Sequence, residues 1–248
     1  MKIRVINPNT TASMTAAIGA AARTAAAPGT TIEAVNPSFG APSIEGHFDD
    51  VWAAAGVAEQ VHAGEAAGEA ERAHAYVIAC FGDPGLHAAR ERAAGPVIGI
   101  AEAAFHAASL LATGFSVVTT LTRTCVIAEH LVAQYGFERR CRGIHGTDIA
   151  VLELDDPKSD AFARIFACAE QALVADRSGA IVLGCAGMAD LCHALQQRLG
   201  VPVIDGVGAA VKLAEMLVSL RLATSKRGDY AAPLAKVYAG LAAPWSPG

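Results

Sequence analysis

Two cysteines in this 248-residue chain stand where a thiol can act on a ligand. Cys80 ends the apolar run Tyr76-Val77-Ile78-Ala79 and is followed by Phe81-Gly82-Asp83-Pro84-Gly85. Cys185 ends a matching run, Ala180-Ile181-Val182-Leu183-Gly184, and is followed by Ala186-Gly187-Met188. Apolar runs of this length bounded by turn residues read as buried strands. Both thiols then fall at the carboxyl ends of strands, where open parallel sheets bind ligands. A helix starting just beyond each would favour the thiolate through its unpaired N–H groups and positive end. Two sulfurs facing each other across one cleft suit the inversion of a carbon acid. One, as thiolate, removes a proton from one face; the other, as thiol, delivers a proton to the opposite face. Backbone N–H groups after each cysteine, with the hydroxyls of Thr119 and Thr120, are candidates to stabilise the enolate oxygen between them. Such chemistry requires no cofactor.

The elements that must carry these groups alternate between strand and helix. The pattern predicts strands at 2–6, 31–35, 76–79 and 97–100, then at 115–119, 140–144, 180–184 and 201–204. Helices are expected near 12–27, 50–73, 84–94, 123–135, 159–176, 188–199 and 207–221. Thr10 or Thr11 reads as the N-cap of the first helix, and Asp83-Pro84 as N-cap and first turn of the third. The last four strands repeat the first four at an offset of about 105 residues, cysteines and glycines included. This predicts an α/β fold of two pseudo-symmetric lobes. Each is a four-stranded, mainly parallel sheet flanked by helices, and the active site lies in the cleft between them. Residues 1–100 plus 207–248 are assigned to the first lobe with its C-terminal helix and tail, and 101–206 to the second.

The remaining features narrow the function. Composition is 53% hydrophobic and 17% charged, ample for a core and too apolar for disorder. A net charge of −5 gives no footprint for nucleic acid or anionic lipid. No apolar run approaches the roughly 20 residues that span a bilayer. Asn7-Pro8-Asn9 interrupts the apolar segment after Met1-Lys2-Ile3-Arg4, so no signal peptide is read and a cytoplasmic location is expected. Cys125, Cys141, Cys168 and Cys192 show no C-x-x-C or metal-ligand spacing and read as small buried hydrophobes. Asn9 and the loop residues Glu45 and His47 are candidate ligand contacts, although turn and loop chemistry also explains such residues. Asp83 reads as a helix cap rather than a catalytic group, Arg123 as an anion anchor or a helix-opening surface residue, and Cys192-His193 as neighbours that diverge on a helix. Gly206-Val207-Gly208-Ala209-Ala210-Val211 lacks the third glycine of a dinucleotide fingerprint and ends the sheet order, so no nucleotide is expected there.

Through Ile6-Asn7-Pro8-Asn9-Thr10, Ala79-Cys80-Phe81-Gly82-Asp83-Pro84-Gly85 and Gly184-Cys185-Ala186-Gly187-Met188, the chain resembles the aspartate/glutamate/hydantoin racemase superfamily. Ser116-Val117-Val118-Thr119-Thr120 and Pro202-Val203-Ile204-Asp205-Gly206 extend the resemblance, which is nearest the hydantoin and allantoin racemase branch. It implies a cofactor-independent two-base racemase with Cys80 and Cys185 as the bases. It also implies a pocket lined by Asn9, Thr119, Thr120 and the backbone at Phe81, Gly82, Ala186 and Gly187. Aspartate and glutamate racemases typically follow the first cysteine with Asn-Thr and the second with Thr. Here Phe81-Gly82 and Ala186-Gly187 supply an apolar wall and backbone instead, which suits a neutral five-membered ring better than a dianion. Arylmalonate decarboxylases of the same superfamily keep only the second cysteine, so Cys80 favours racemisation. The expected activity is racemisation of 5-substituted hydantoins at C5, allantoin foremost, with Glu45 accepting the N–H groups of its ureido tail. The alternatives are an aspartate- or glutamate-type racemase and a non-catalytic small-molecule binding protein. Expected partners are a small-molecule substrate and further copies of the chain in a homo-oligomer.

Overall fold

Strand β1 (Lys2–Ile6) lies between β2 (Thr31–Val35) and β3 (Ala75–Ile78), and β4 (Val97–Gly99) continues the sheet beyond β3. In the second half, β5 (Phe115–Thr119) lies between β6 (Cys141–Gly146) and β7 (Ala180–Leu183), with β8 (Val203–Ile204) outside β7. The structure is a computed structural model and describes residues 1–68, 71–155 and 158–247. Every pairing in both sheets is parallel, so the two share one strand order, member for member. Parallel sheets are covered on both faces by their crossover helices. That is why β3, β5 and β7 are buried at every residue and read as unbroken apolar runs rather than alternating ones.

The covering helices are α1 (Ala12–Ala25), α2 (His47–Ala66), α3 (Leu86–Arg92), α4 (Ile100–Leu111), α5 (Cys125–Gln134), α6 (Ala161–Ala175), α7 (Cys192–Leu199) and α8 (Gly206–Ser219). The sequence pattern predicts no helix at α4 and extends β4 to Ile100. The stretch Ile100-Ala101-Glu102-Ala103-Ala104-Phe105 carries no capping residue of its own. Its cap is remote in sequence: the Asp83 carboxylate accepts the Ala101 N–H at 3.1 Å and the Glu102 N–H at 3.0 Å. Its counterpart α8 is capped locally, Asp205 accepting from Val207 at 2.9 Å and Gly208 at 2.7 Å. The two helices start against each other. A β-carbon on Gly206 would lie 2.6 Å from the Ile100 carbonyl oxygen, so only glycine permits this approach. The glycines at 206 and 208 thus serve helix packing and capping.

Helix α8 returns to pack on α1, β3 and β4, while α4 packs on β7 and β8. One hydrophobic cluster consequently runs from Ile3, Val5 and Val77 of the first sheet through Phe105 and Val207 to Phe115, Val117 and Val182 of the second. Phe105 is fully buried, stacks on Phe115 at 5.5 Å and meets Phe81 edge-on at 5.6 Å. Burying one such ring stabilises by about 1.5–3 kcal/mol, and here it fixes the residue after Cys80 to the core shared by the lobes.

Other boundaries also differ from expectation. Helix α3 begins at Leu86 rather than Pro84, because Asp83 is committed to α4 and Gly85 adopts a left-handed φ of 68°. A 3₁₀ turn, Ala186–Leu191, precedes α7. Thr11 occupies the N-cap position of α1, yet its hydroxyl donates to the Pro42 carbonyl at 2.7 Å and caps nothing. Helix α2 ends at Ala66, short of the expected 73, and positions 69–70 of its predicted range lie outside the described residues. All six cysteines are free thiols. Among the described residues no helix is long and apolar enough to cross a membrane.

Candidate active site

Cys80 follows β3 after one alanine and Cys185 follows β7 after one glycine, strands that hold equivalent places in the two sheets. The chain then turns alike at both. The Cys80 carbonyl accepts the Asp83 N–H at 3.0 Å, and the Cys185 carbonyl accepts the Met188 N–H at 3.1 Å. Both side chains are half-buried and line one cavity between the lobes, enclosing about 650 Å³ of empty space that includes its open mouth. Asn9, Phe81, Gly82, Thr119, Thr120 and Ala186 line the same cavity.

The electrostatics differ from the sequence expectation. Burial pushes the Cys80 thiol up to about 12, outweighing the Gly82 N–H that donates to its sulfur, and the charges of Cys185, Asp50 and Asp83 add to the rise. The expected helix N-terminus is absent here, since α3 starts six residues on and a helix end acts only over its own first turn. Mutual repulsion between the sulfurs opposes double ionisation, so the pair favours states that retain at least one proton.

The polar groups divide into engaged and free. Thr119 donates its hydroxyl to the Gly184 carbonyl at 2.8 Å, tying β5 to the end of β7 and leaving no proton for a ligand. The Thr120 hydroxyl has no hydrogen-bond partner among the described residues. Asn9 uses its amide oxygen locally, accepting from Asn7 and from the Thr11 N–H, each at 2.9 Å. Its amide nitrogen has only the Met14 sulfur at 3.5 Å, so a donor remains for the cavity.

Three candidate site residues fall elsewhere. Glu45 does not line the cavity; its Oε1 accepts from the Ser43 hydroxyl at 3.1 Å and the Val151 N–H at 3.4 Å, joining the loop before α2 to the second lobe. Gly187 also lies outside the lining, although a β-carbon there would sit 3.7 Å from the Cys185 sulfur. His47 opens α2 and does not line the cavity either. Conversely, Asp50, Ile44, Val151 and Ile127 line it unforeseen. Asp50 stands one helical turn past Gly46, on the element that begins at the very loop singled out in the sequence, and that was the only available hint. Asp83 caps a helix, as expected of it, but α4 rather than α3. Arg123 reaches the same loop, its guanidinium 3.1 Å from where a Gly46 β-carbon would be.

Comparison with known proteins agrees along the whole chain. A hydantoin racemase of Rhizobium meliloti is 48% identical over 240 residues, covering 97% of this chain and 98% of its own. Among solved structures, an allantoin racemase from Klebsiella pneumoniae superimposes with a TM-score of 0.96 at 56% identity, covering 100% of this chain and 99% of that one. The allantoin racemase from Pseudomonas fluorescens gives 0.91 at 42% identity, covering 97% and 100%. The family model Asp/Glu/Hydantoin racemase matches residues 3–214, and the chain belongs to that family.

Proposed function

We propose that this chain is a cofactor-independent racemase of 5-substituted hydantoins, allantoin foremost, with Cys80 and Cys185 as its two acid–base groups. One observation carries the reading: equivalent strands of two like sheets each end at a thiol, and both thiols line one cavity. On this reading residues 1–100 with 207–248 supply one sulfur and 101–206 the other. One sulfur, as thiolate, takes the C5 proton, and the electron pair moves into the C4 carbonyl to give a planar enolate. The opposite thiol then gives its proton to the other face of C5, and the two sulfurs have exchanged protonation states. A thiolate conjugate to a thiol near 12 is a strong base, which suits a weak carbon acid. The Thr120 hydroxyl, the Asn9 amide and the N–H groups of Phe81 and Ala186 are the donors for the enolate oxygen.

The substrate class is supported by the hydantoin and allantoin racemases to which the chain is similar end to end. The lining agrees, being largely apolar and carrying the Asp50 carboxylate, which repels the side-chain carboxylate of an aspartate- or glutamate-type substrate. By the same reading the enzyme works in the cytoplasm as a homo-oligomer, without nucleic-acid or membrane partners, and allantoin as substrate would place it in purine catabolism. The test is decay of optical rotation for each enantiomer of allantoin, 5-alkylhydantoins, aspartate and glutamate. Decay for the hydantoins alone is expected; decay for aspartate or glutamate alone would overturn the substrate assignment.

A further inference from the structure

Asp50 is the one carboxylate lining the cavity among the described residues. Its acidic neighbours are engaged in holding the loop: Asp49 accepts the Glu45 N–H at 3.0 Å, and Glu45 accepts from Ser43 and Val151. The Asp50 carboxylate has no hydrogen-bond donor among the described residues. It is half-buried, and burial raises its proton affinity against the opposing charge of His47. Its Oδ1 lies 3.4 Å from where a Gly82 β-carbon would be, and its charge is felt at Cys80. An ionised carboxylate can only accept hydrogen bonds, and this half-buried one, with no protein donor among the described residues, accepts from water until a ligand brings a donor. The space left by the missing Gly82 side chain is therefore a place for the donor a ligand brings.

We propose that Asp50 is a specificity-determining residue: it accepts the N–H groups of a donor-rich 5-substituent, a ureido group being the fitting class, and repels substituents that carry a carboxylate. The proposal rests on the racemase reading above. It transfers to Asp50 the role that the sequence suggests for Glu45, whose carboxylate is already engaged. The remaining wall beside it, Ile44, Ile127 and Val151, is apolar and leaves an alkyl substituent indifferent to the charge.

The test compares native chain, Asp50→Asn and Asp50→Ala by chiral chromatography on allantoin, 5-propylhydantoin and 5-(2-carboxyethyl)hydantoin. Ratios of kcat/KM within one protein cancel any loss of folded enzyme. In Asp50→Ala the allantoin-to-propyl ratio should fall roughly tenfold or more, mainly through KM, as expected for a lost charge-assisted hydrogen bond. Asp50→Asn, which keeps a neutral acceptor, should fall less. The carboxyethyl-to-propyl ratio should rise roughly tenfold in both variants as the repulsion is removed. If both ratios stay within about threefold of native in both variants, Asp50 does not read the substituent, and the proposal fails while the racemase reading stands. If the native chain racemises none of the three hydantoins, the racemase reading fails and takes the proposal with it.

Discussion

Tyr135, at the end of α5 in the second lobe, donates its hydroxyl to Asp83 at 2.9 Å, in the turn that follows Cys80 in the first. Asp83 also caps α4, so one carboxylate joins the first cysteine's turn, the crossover helix and the opposite lobe. The Cys80 sulfur is thereby positioned by contacts with both halves of the molecule.

Burial holds the Asp83 carboxyl up at about 7, against an ordinary value of 3.8, despite the donors from Glu102, Ala101 and Tyr135 that pull it down. Between those values the folded chain keeps a proton that the unfolded chain has released. The contribution of Asp83 to stability is therefore fully present at the acid end and is lost as pH rises to 7, at up to about 1.4 kcal/mol per pH unit. Asp83→Asn has no such titration. The native-minus-variant difference in unfolding free energy, from urea titrations at pH 5 to 8, should fall up to pH 7 and then level. A difference independent of pH would contradict this assignment.

Cys80, raised to about 12, carries little thiolate at neutral pH. Its alkylation by iodoacetamide, followed by peptide mass spectrometry, should rise about tenfold per pH unit from 7 to 10. A plateau below pH 9 would show that the thiol is not held up by burial.

Thr119 and Thr120 are adjacent and should behave differently. Thr119→Val leaves the Gly184 carbonyl without that donor and should cost roughly 1–3 kcal/mol of stability. Thr120→Val removes a hydroxyl with no protein partner, and should leave the Tm near native while lowering kcat by roughly a hundredfold. Native kcat in Thr120→Val would remove that hydroxyl from the enolate-binding groups.

Much of this molecule is legible in the sequence because its chemistry is local. Runs such as Ala180-Ile181-Val182-Leu183 are apolar at every position since β7 is covered on both faces, and the duplicated spacing exposes the two-lobe plan. What escapes is held by distant partners. Helix α4 has no cap signal because Asp83, seventeen residues before Ala101's neighbour Ile100, supplies it from another element. Glu45 and Asp50 sit five residues apart with similar side chains, and it is the contacts of Glu45 with Ser43 in its own loop and Val151 in the second lobe that leave Glu45 engaged and Asp50 facing the cavity. The Cys80 thiol inverts its expected shift because the turn to α3 is longer than Asp83-Pro84 suggests, which leaves burial in control.

The most direct measurement follows deuterium entry from D₂O into separate enantiomers of a hydantoin with Cys80→Ser and Cys185→Ser. Each variant retains one sulfur on one face of C5. Both should lose net inversion, and each should exchange the proton of a single enantiomer, a different one in each variant. Racemisation at the native rate in both, or exchange of the same enantiomer by both, would contradict a reaction in which the two sulfurs work on opposite faces.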